Sequence, residues 1–214
     1  MDAPLHVQYG AGLCGPPGWL NYDASPMILL QRTPGLNLLP LARRGAPYPK
    51  TVRFGDVVRG LPVKSGTADL IYCSHTLEHL ALADCRTALR ETHRMLKAGG
   101  TFRAVLPDIR YLCEEYLRQA ATDPAAAVTF IRETHMGLAE TPRGLAKLRS
   151  LFSRSFHHWM WDYPAMELEL RAAGFRTIRP ARYQDSVHAA FRDVEEPHRW
   201  EHALASRRSN NRWR

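Results

Sequence analysis

Two groups of residues along this chain combine side-chain type and spacing in a way that chemistry can use. The first is a glycine pair followed by an acid: Val7-Gln8-Tyr9-Gly10-Ala11-Gly12, then Leu20-Asn21-Tyr22-Asp23. Glycine has no Cβ, so Gly10 and Gly12 let the backbone approach a ligand closely. An Asp closing the next strand accepts hydrogen bonds from both hydroxyls of a ribose. A bare Gly-x-Gly is usually an ordinary turn, and the acid after it is what points to a nucleoside. The second group is a set of imidazoles and carboxylates suited to take a proton from a hydroxyl or amine: His75, His79, Asp108, His157 and His158. Each has a plainer reading. His79 would pair locally on a helix face, Asp108 would cap a helix starting at Ile109, and His157-His158-Trp159-Met160-Trp161 would be packing. His75-Thr76-Leu77-Glu78-His79 also fits the H-x-x-E-H pattern of inverted zinc proteases. That pattern belongs inside a long helix. Here it follows a buried strand, and no third ligand falls in register, so no metal is expected.

The elements that must position these residues recur at βαβ spacing. Leu5 to Tyr9 and Trp19 to Tyr22 read as the first two strands, and Thr51 to Asp56 as the third. Ala68 to Cys73 is apolar at nearly every position, as a strand buried on both faces should be. Leu82, Cys85, Leu89, Thr92 and Leu96 then recur at helical spacing, with Lys97-Ala98-Gly99-Gly100 closing the helix. Thr101 to Leu106 is a fifth strand. Helices are expected over Ile109 to Gln119, after Asp123-Pro124, and over Met166 to Ala173, with Gly174 closing the last. Phe175 to Ile178 and Trp200 to Leu204 are expected to end the chain as strands. The fold class is α/β: a doubly wound, Rossmann-like, mostly parallel sheet with a helical insertion after the fifth strand. Residues 1–206 form a single domain, 109–162 its helical cap, and 207–214 a basic tail. Ligands in such sheets sit beyond the carboxyl ends of the strands, so Gly10, Asp23, Asp56, Ser74 and Asp108 should converge there.

Composition narrows the classes. No apolar run approaches the ~18 residues of a membrane span, and Met1-Asp2-Ala3-Pro4 has no secretory pattern. The four cysteines lack metal-ligand spacing and read as reduced thiols of a cytoplasmic protein. The net charge of +8 comes nearly all from Arg, and Arg207, Arg208, Arg212 and Arg214 fall in a polar tail, so nucleic acid is not the expected partner.

Taken in order, the motifs resemble those of class I S-adenosylmethionine-dependent methyltransferases, within the small bacterial methyltransferase-domain group. The resemblance is carried by the glycine turn, Gly18-Trp19-Leu20-Asn21-Tyr22-Asp23, Leu61-Pro62 and Asp69 through His79. It continues through Leu89 to Gly100, Leu106-Pro107-Asp108, His157-His158-Trp159 and Leu170 to Phe175. It covers about Leu5 to Leu204. The departures are Gln8 or Tyr9 in place of the usual acid, Ala11 in the glycine motif, and a first crossover too short for a helix. The resemblance implies S-adenosylmethionine as cofactor, with Gly10 and Gly12 under its methionyl part. Asp23 would hold the ribose and Asp56 the adenine amino group, with Ser74 and His75 near the sulfonium.

The expected function is methyl transfer to oxygen or nitrogen of a small molecule or saccharide. His75, then His157, then Asp108 are the expected bases, and His79, His158 and Trp159 the acceptor contacts. A non-catalytic cofactor-binding regulator and a nucleic-acid methyltransferase are the alternatives; the sequence does not give the oligomeric state or the acceptor.

Overall fold

The computed structural model describes residues 3–43, 45–138, 140 and 156–204. Five parallel strands form one sheet: β1 (His6–Tyr9), β2 (Trp19–Asp23), β3 (Val52–Phe54), β4 (Ala68–Ser74) and β5 (Leu96–Val105), in the order β3-β2-β1-β4-β5. The order reverses between β1 and β4, which pair as Val7 to Ile71 and Tyr9 to Cys73. This reversal opens a crevice at the carboxyl edge, between the chain leaving β1 at Gly10 and the chain leaving β4 at Ser74. The doubly wound α/β reading of the sequence therefore holds.

Alternation along the strands builds two cores. Val7, Tyr9, Tyr22, Ile71 and Cys73 face one side, where they meet Cys85, Ala88, Leu89 and Met95 of helix α2 (Leu82–Met95) and Met166 of α5 (Tyr163–Ala172). Trp19, Leu70, Tyr72 and Val105 face the other side, which is closed by Phe191, Val194, Trp200 and Ala203 from the C-terminal segment. Those four residues lie on or beside two 3-10 turns, Ala189–Asp193 and Pro197–Trp200. The chain end thus does what a layer of helices does in longer sheets. A smaller core places Ile28 of α1 (Pro26–Arg32) against Ala11 and Val52.

Burial also settles the thiols. Cys73 and Cys85 lie in the α2 core, Cys14 is half-buried and Cys113 is exposed. Burial pushes the Cys85 thiol up to about 12 and that of Cys73 higher still. Since the thiolate is the reactive form, a disulfide reagent at mild alkaline pH should label Cys113 first, and Cys73 and Cys85 only after denaturation. Peptide mass mapping reads this directly, and native labelling of Cys73 at the Cys113 rate would contradict the packing of α2.

Some boundaries differ from expectation. Helix α2 stops at Met95, and Lys97-Ala98-Gly99-Gly100 is an irregular start of β5, where Ala68 pairs with Leu96 but Leu70 already with Thr101. Gly99 does take a positive φ of 80°, but within that irregularity. Helix α5 starts three residues before Met166, because the Asp162 carboxylate accepts from Ala165 N–H at 2.9 Å and Pro164 occupies the first turn. Phe175 to Ile178 is not a strand; Phe175 instead packs its ring on His93 and Phe102. Trp200 to Leu204 contributes only an isolated antiparallel bridge, Ala203 to Pro107. After β5 come α3 (Ile109–Ala120) and α4 (Ala126–Glu133), packed through Tyr116 and Phe130. The basic tail lies outside the described residues. No helix among those described is long and apolar enough to cross a membrane.

Candidate active site

The crevice is built first by the glycine turn. Gly10 and Gly12 have φ of 66° and 55°, values that an L side chain takes at a cost of ~1–2 kcal/mol. A Cβ on Gly10 would lie 1.8 Å from Thr76 Oγ1, so the turn after β1 packs directly on the turn after β4. Asp23, at the end of β2, braces this arrangement. One carboxylate oxygen accepts from Gly12 N–H at 2.8 Å and the other from Ser25 N–H at 2.8 Å. A carboxylate offers about four lone-pair sites, so Asp23 keeps capacity for a ligand. Asp56 follows β3 and accepts from Val58 N–H at 3.0 Å, while Gly55 N–H beside it reaches the Asp23 carbonyl. Ser74 ends β4 almost fully buried; the Tyr72 hydroxyl stands beside it, and neither makes a hydrogen bond of ordinary geometry. Gly10, Gly12, Asp23, Asp56 and Ser74 therefore lie along the carboxyl edge of β1, β2, β3 and β4. An adenosyl ligand fits this donor and acceptor set: two glycine positions without a side chain, a half-used carboxylate and an orphaned buried hydroxyl.

His75 stands at the next position with a φ of 48°, unusual outside glycine, and its N–H is tied to the Val105 carbonyl. Its Nε2 is 2.8 Å from the Arg199 carbonyl, which can only accept, so Nε2 carries a proton. Its Nδ1 is 3.2 Å from Glu78 Oε1. Burial opposes a charged ring here, but the hydrogen bond and charge of Glu78, with the Arg199 carbonyl, outweigh it and raise the His75 pKa. Both ring nitrogens of His75 therefore face protein partners, the Arg199 carbonyl and the Glu78 carboxylate, and a base role for His75 would require it to leave one of them.

Beyond His75 the chain makes a 3-10 turn, Leu77–His79, that buries Glu78 completely. The segment from 156 to 161 crosses this turn. His158 N–H and Trp159 N–H both donate to the Glu78 carbonyl, at 2.8 and 3.1 Å, and His79 Nδ1 donates to the Phe156 carbonyl at 3.0 Å. His157 is thereby placed with its ring 4.9 Å from that of His79 and 5.1 Å from that of His135. Ligand-type atoms of Glu78, His79 and His157 all lie within 4.8 Å of one another. Burial pushes His157 down to about 4, with Glu78 opposing and His79 and His135 adding to the effect. The ring is therefore neutral at cellular pH. His158 and Trp159 are exposed on the outer lip. Asp108 caps α3, accepting from Arg110 N–H at 2.9 Å, and its own N–H is bound to the His202 carbonyl. This is the plainer of its two sequence readings.

Glu78 went unassigned in the sequence, although H-x-x-E-H marked it. The expectation of no metal rested on the lack of a third ligand in register; in the fold His157, about eighty residues away in sequence, lies beside Glu78 and His79.

Residues 28–104, from α1 into β5, match the family described as "Methyltransferase domain", as the ordered motifs lead one to expect. S-adenosylmethionine is the methyl donor of that family. No curated protein matches the chain. Among solved structures, the chain is similar to an S-adenosylmethionine-dependent methyltransferase of Thermotoga maritima, described as a possible histamine N-methyltransferase. Identity is 19%, with 83% of this chain and 66% of that one covered and a TM-score of 0.45. It is also similar to such methyltransferases from Archaeoglobus fulgidus (14% identity, 81% and 62% covered, TM-score 0.45) and Mesorhizobium loti (16%, 94% and 86%, 0.44). The chain thus spans slightly under two thirds of the first two proteins.

Proposed function

We propose that this chain, a class I S-adenosylmethionine-dependent methyltransferase, transfers the methyl group to oxygen or nitrogen of a small molecule or saccharide held beneath the cap. The observation that supports the acceptor side is the cluster of Glu78, His79 and His157, just past the end of β4 and flanked by His158 and Trp159.

When bound, the cofactor supplies a sulfonium methyl group open to in-line attack. Gly10 and Gly12 would pass under its methionyl part, Asp23 would hold the ribose, Asp56 the adenine amino group, and Ser74 would face the sulfonium end. The protein's main task is positioning, since holding reacting atoms at near-attack distance is worth up to ~7–11 kcal/mol. An acceptor hydroxyl or amine must also lose a proton. Asp108 is engaged at the start of α3, and His75 is paired at both nitrogens. The Glu78–His79–His157 cluster is the group left to take the proton, directly or through a water held there.

Among the described residues, many of the arginines that a nucleic-acid reading would need are engaged within the protein. Arg86, Arg94, Arg110, Arg118, Arg171, Arg179 and Arg199 are each paired with a carboxylate.

The test is a screen of hydroxyl and amine acceptors, saccharides included, read by release of S-adenosylhomocysteine. Turnover with one chemical class is the expected result. Saturable cofactor binding with no turnover across the screen would instead favour the non-catalytic regulator.

A further inference from the structure

We propose that Glu78, His79 and His157 form a binding site for one divalent transition-metal ion, of the zinc class, on the acceptor side of the cleft. The inference concerns the same cleft as the methyl-transfer reading but does not depend on it.

Three observations carry it. The first is the carboxylate. Glu78 is fully buried; the His75 ring faces its Oε1 at 3.2 Å, while its Oε2 has no hydrogen-bond partner among the described residues. Buried carboxylates are normally paired, hydrogen-bonded or bound to metal, and the second oxygen of Glu78 has no such partner among the described residues. The second observation is ring orientation. His79 directs Nδ1–H at the Phe156 carbonyl, which leaves Nε2 with its lone pair. His157 has Nδ1 at 3.2 Å from Met160 Sδ and a further partner in the Thr134 backbone. An outer partner that fixes the tautomer, as the Phe156 carbonyl does for His79, is the usual accompaniment of a metal-binding imidazole. The third is convergence. The paired N–H groups of His158 and Trp159 on the Glu78 carbonyl lock the cap segment to the turn that carries the other two ligands. The three ligand atoms are already within 4.8 Å of one another. Bonds of ~2.0–2.2 Å in tetrahedral geometry place ligand atoms ~3.3 Å apart, a closure that side-chain rotation can supply.

Two imidazoles and one carboxylate suit zinc and its neighbours, whereas magnesium and calcium take oxygen ligands. Three protein ligands leave a position open for water or an acceptor oxygen, as in catalytic rather than closed structural zinc sites. The assignment also differs from the inverted-protease pattern. There both histidines of H-x-x-E-H bind and the glutamate is a base. Here His75 turns its Nε2 to the Arg199 carbonyl, Glu78 is a ligand, and His157 takes the vacated place.

The experiment uses the full chain without an affinity tag, stripped with chelator, loaded with Zn²⁺ and desalted, with metal measured by elemental analysis. One zinc per chain is expected, and Co²⁺ loading should give the intense visible absorption of a four- or five-coordinate ion. His79→Ala and His157→Ala should each weaken metal binding by more than tenfold, and His158→Ala should leave it unchanged. Circular dichroism checks folding; if either ligand variant fails to fold, the Co²⁺ spectrum of the unmodified chain and the Glu78→Gln variant decide. Near-zero zinc in the loaded chain, a weak octahedral Co²⁺ spectrum, or undiminished zinc in folded His79→Ala or His157→Ala would overturn the proposal. Cofactor titration is read separately on the same samples, so failure here leaves the methyl-transfer reading standing.

Discussion

Replacing His157 by alanine should lower turnover by ~10²–10⁴-fold, the range for losing a proton-handling group, while cofactor affinity stays within a few-fold. The expectation follows from position. His157 is held beside the 3-10 turn by its own N–H on the His135 carbonyl and by the N–H groups of His158 and Trp159 on the Glu78 carbonyl, with its ring 4.9 Å from that of His79. Burial keeps it neutral. Steady-state turnover with a saturating acceptor, beside an equilibrium cofactor titration, separates the two effects. A fall in cofactor affinity with unchanged turnover would move His157 to the wrong side of the cleft.

The second large effect is structural and lies on the opposite face of the sheet. Arg103, in β5, is almost fully buried, with its guanidinium on Glu195, on Asp185 at 2.8 Å, and on the Arg182 carbonyl. It also stacks 4.6 Å from the Trp200 ring. The Glu195 side chain is completely buried, and its other oxygen accepts from Gln184 N–H at 2.8 Å. Removing one partner of such a pair leaves an uncompensated buried charge and costs ~3–5 kcal/mol. Arg103→Met should therefore lower the melting temperature by roughly 6–20 °C for a domain of this size. Replacing both partners, Arg103→Met with Glu195→Leu, should recover much of the loss. The consequence reaches the site, because the segment that Arg103 clamps carries the Arg199 carbonyl that holds His75. An unchanged melting temperature in the single variant would mean that the C-terminal segment is held by its aromatic contacts alone.

The parts of the fold that could be read from sequence are those where a single period dominates. Strand β4 is apolar on both faces because both faces are covered, and the spacing of Cys85, Leu89 and Thr92 gives α2 directly. The contact between the glycine turn and Asp23 follows from the short first crossover, which brings the end of β2 beside the turn after β1. The end of α2 was not legible. Lys97 to Gly100 has the composition of a helix stop, yet Leu96 already pairs with Ala68 and draws the chain into the sheet. Phe175 to Ile178 has strand-like residues whose apolar surface is used in ring packing instead. Arg103 gave no signal, since one Arg in a strand reads as solvent-facing until its partners, about eighty to ninety residues later, come into contact. The Glu78–His79–His157 cluster was invisible for the same reason. Its local half was seen as H-x-x-E-H, but the ligand that completes it arrives from the cap, and the positive φ of His75 turns that ring away from the i, i+4 arrangement.

The most direct measurement is an equilibrium titration of the purified chain with S-adenosylhomocysteine, run beside Asp23→Ala. The Asp23 carboxylate shapes the glycine turn through Gly12 and Ser25 and retains acceptor sites for a ribose. Hydrogen bonds to a charged acceptor contribute ~1.5–3 kcal/mol each, so losing two should weaken binding by well over tenfold. Circular dichroism should show the sheet intact. Saturable binding at one site per chain, weakened in this way by Asp23→Ala, is the expected result; no saturable binding to the folded chain, or equal affinity in the two proteins, would contradict it.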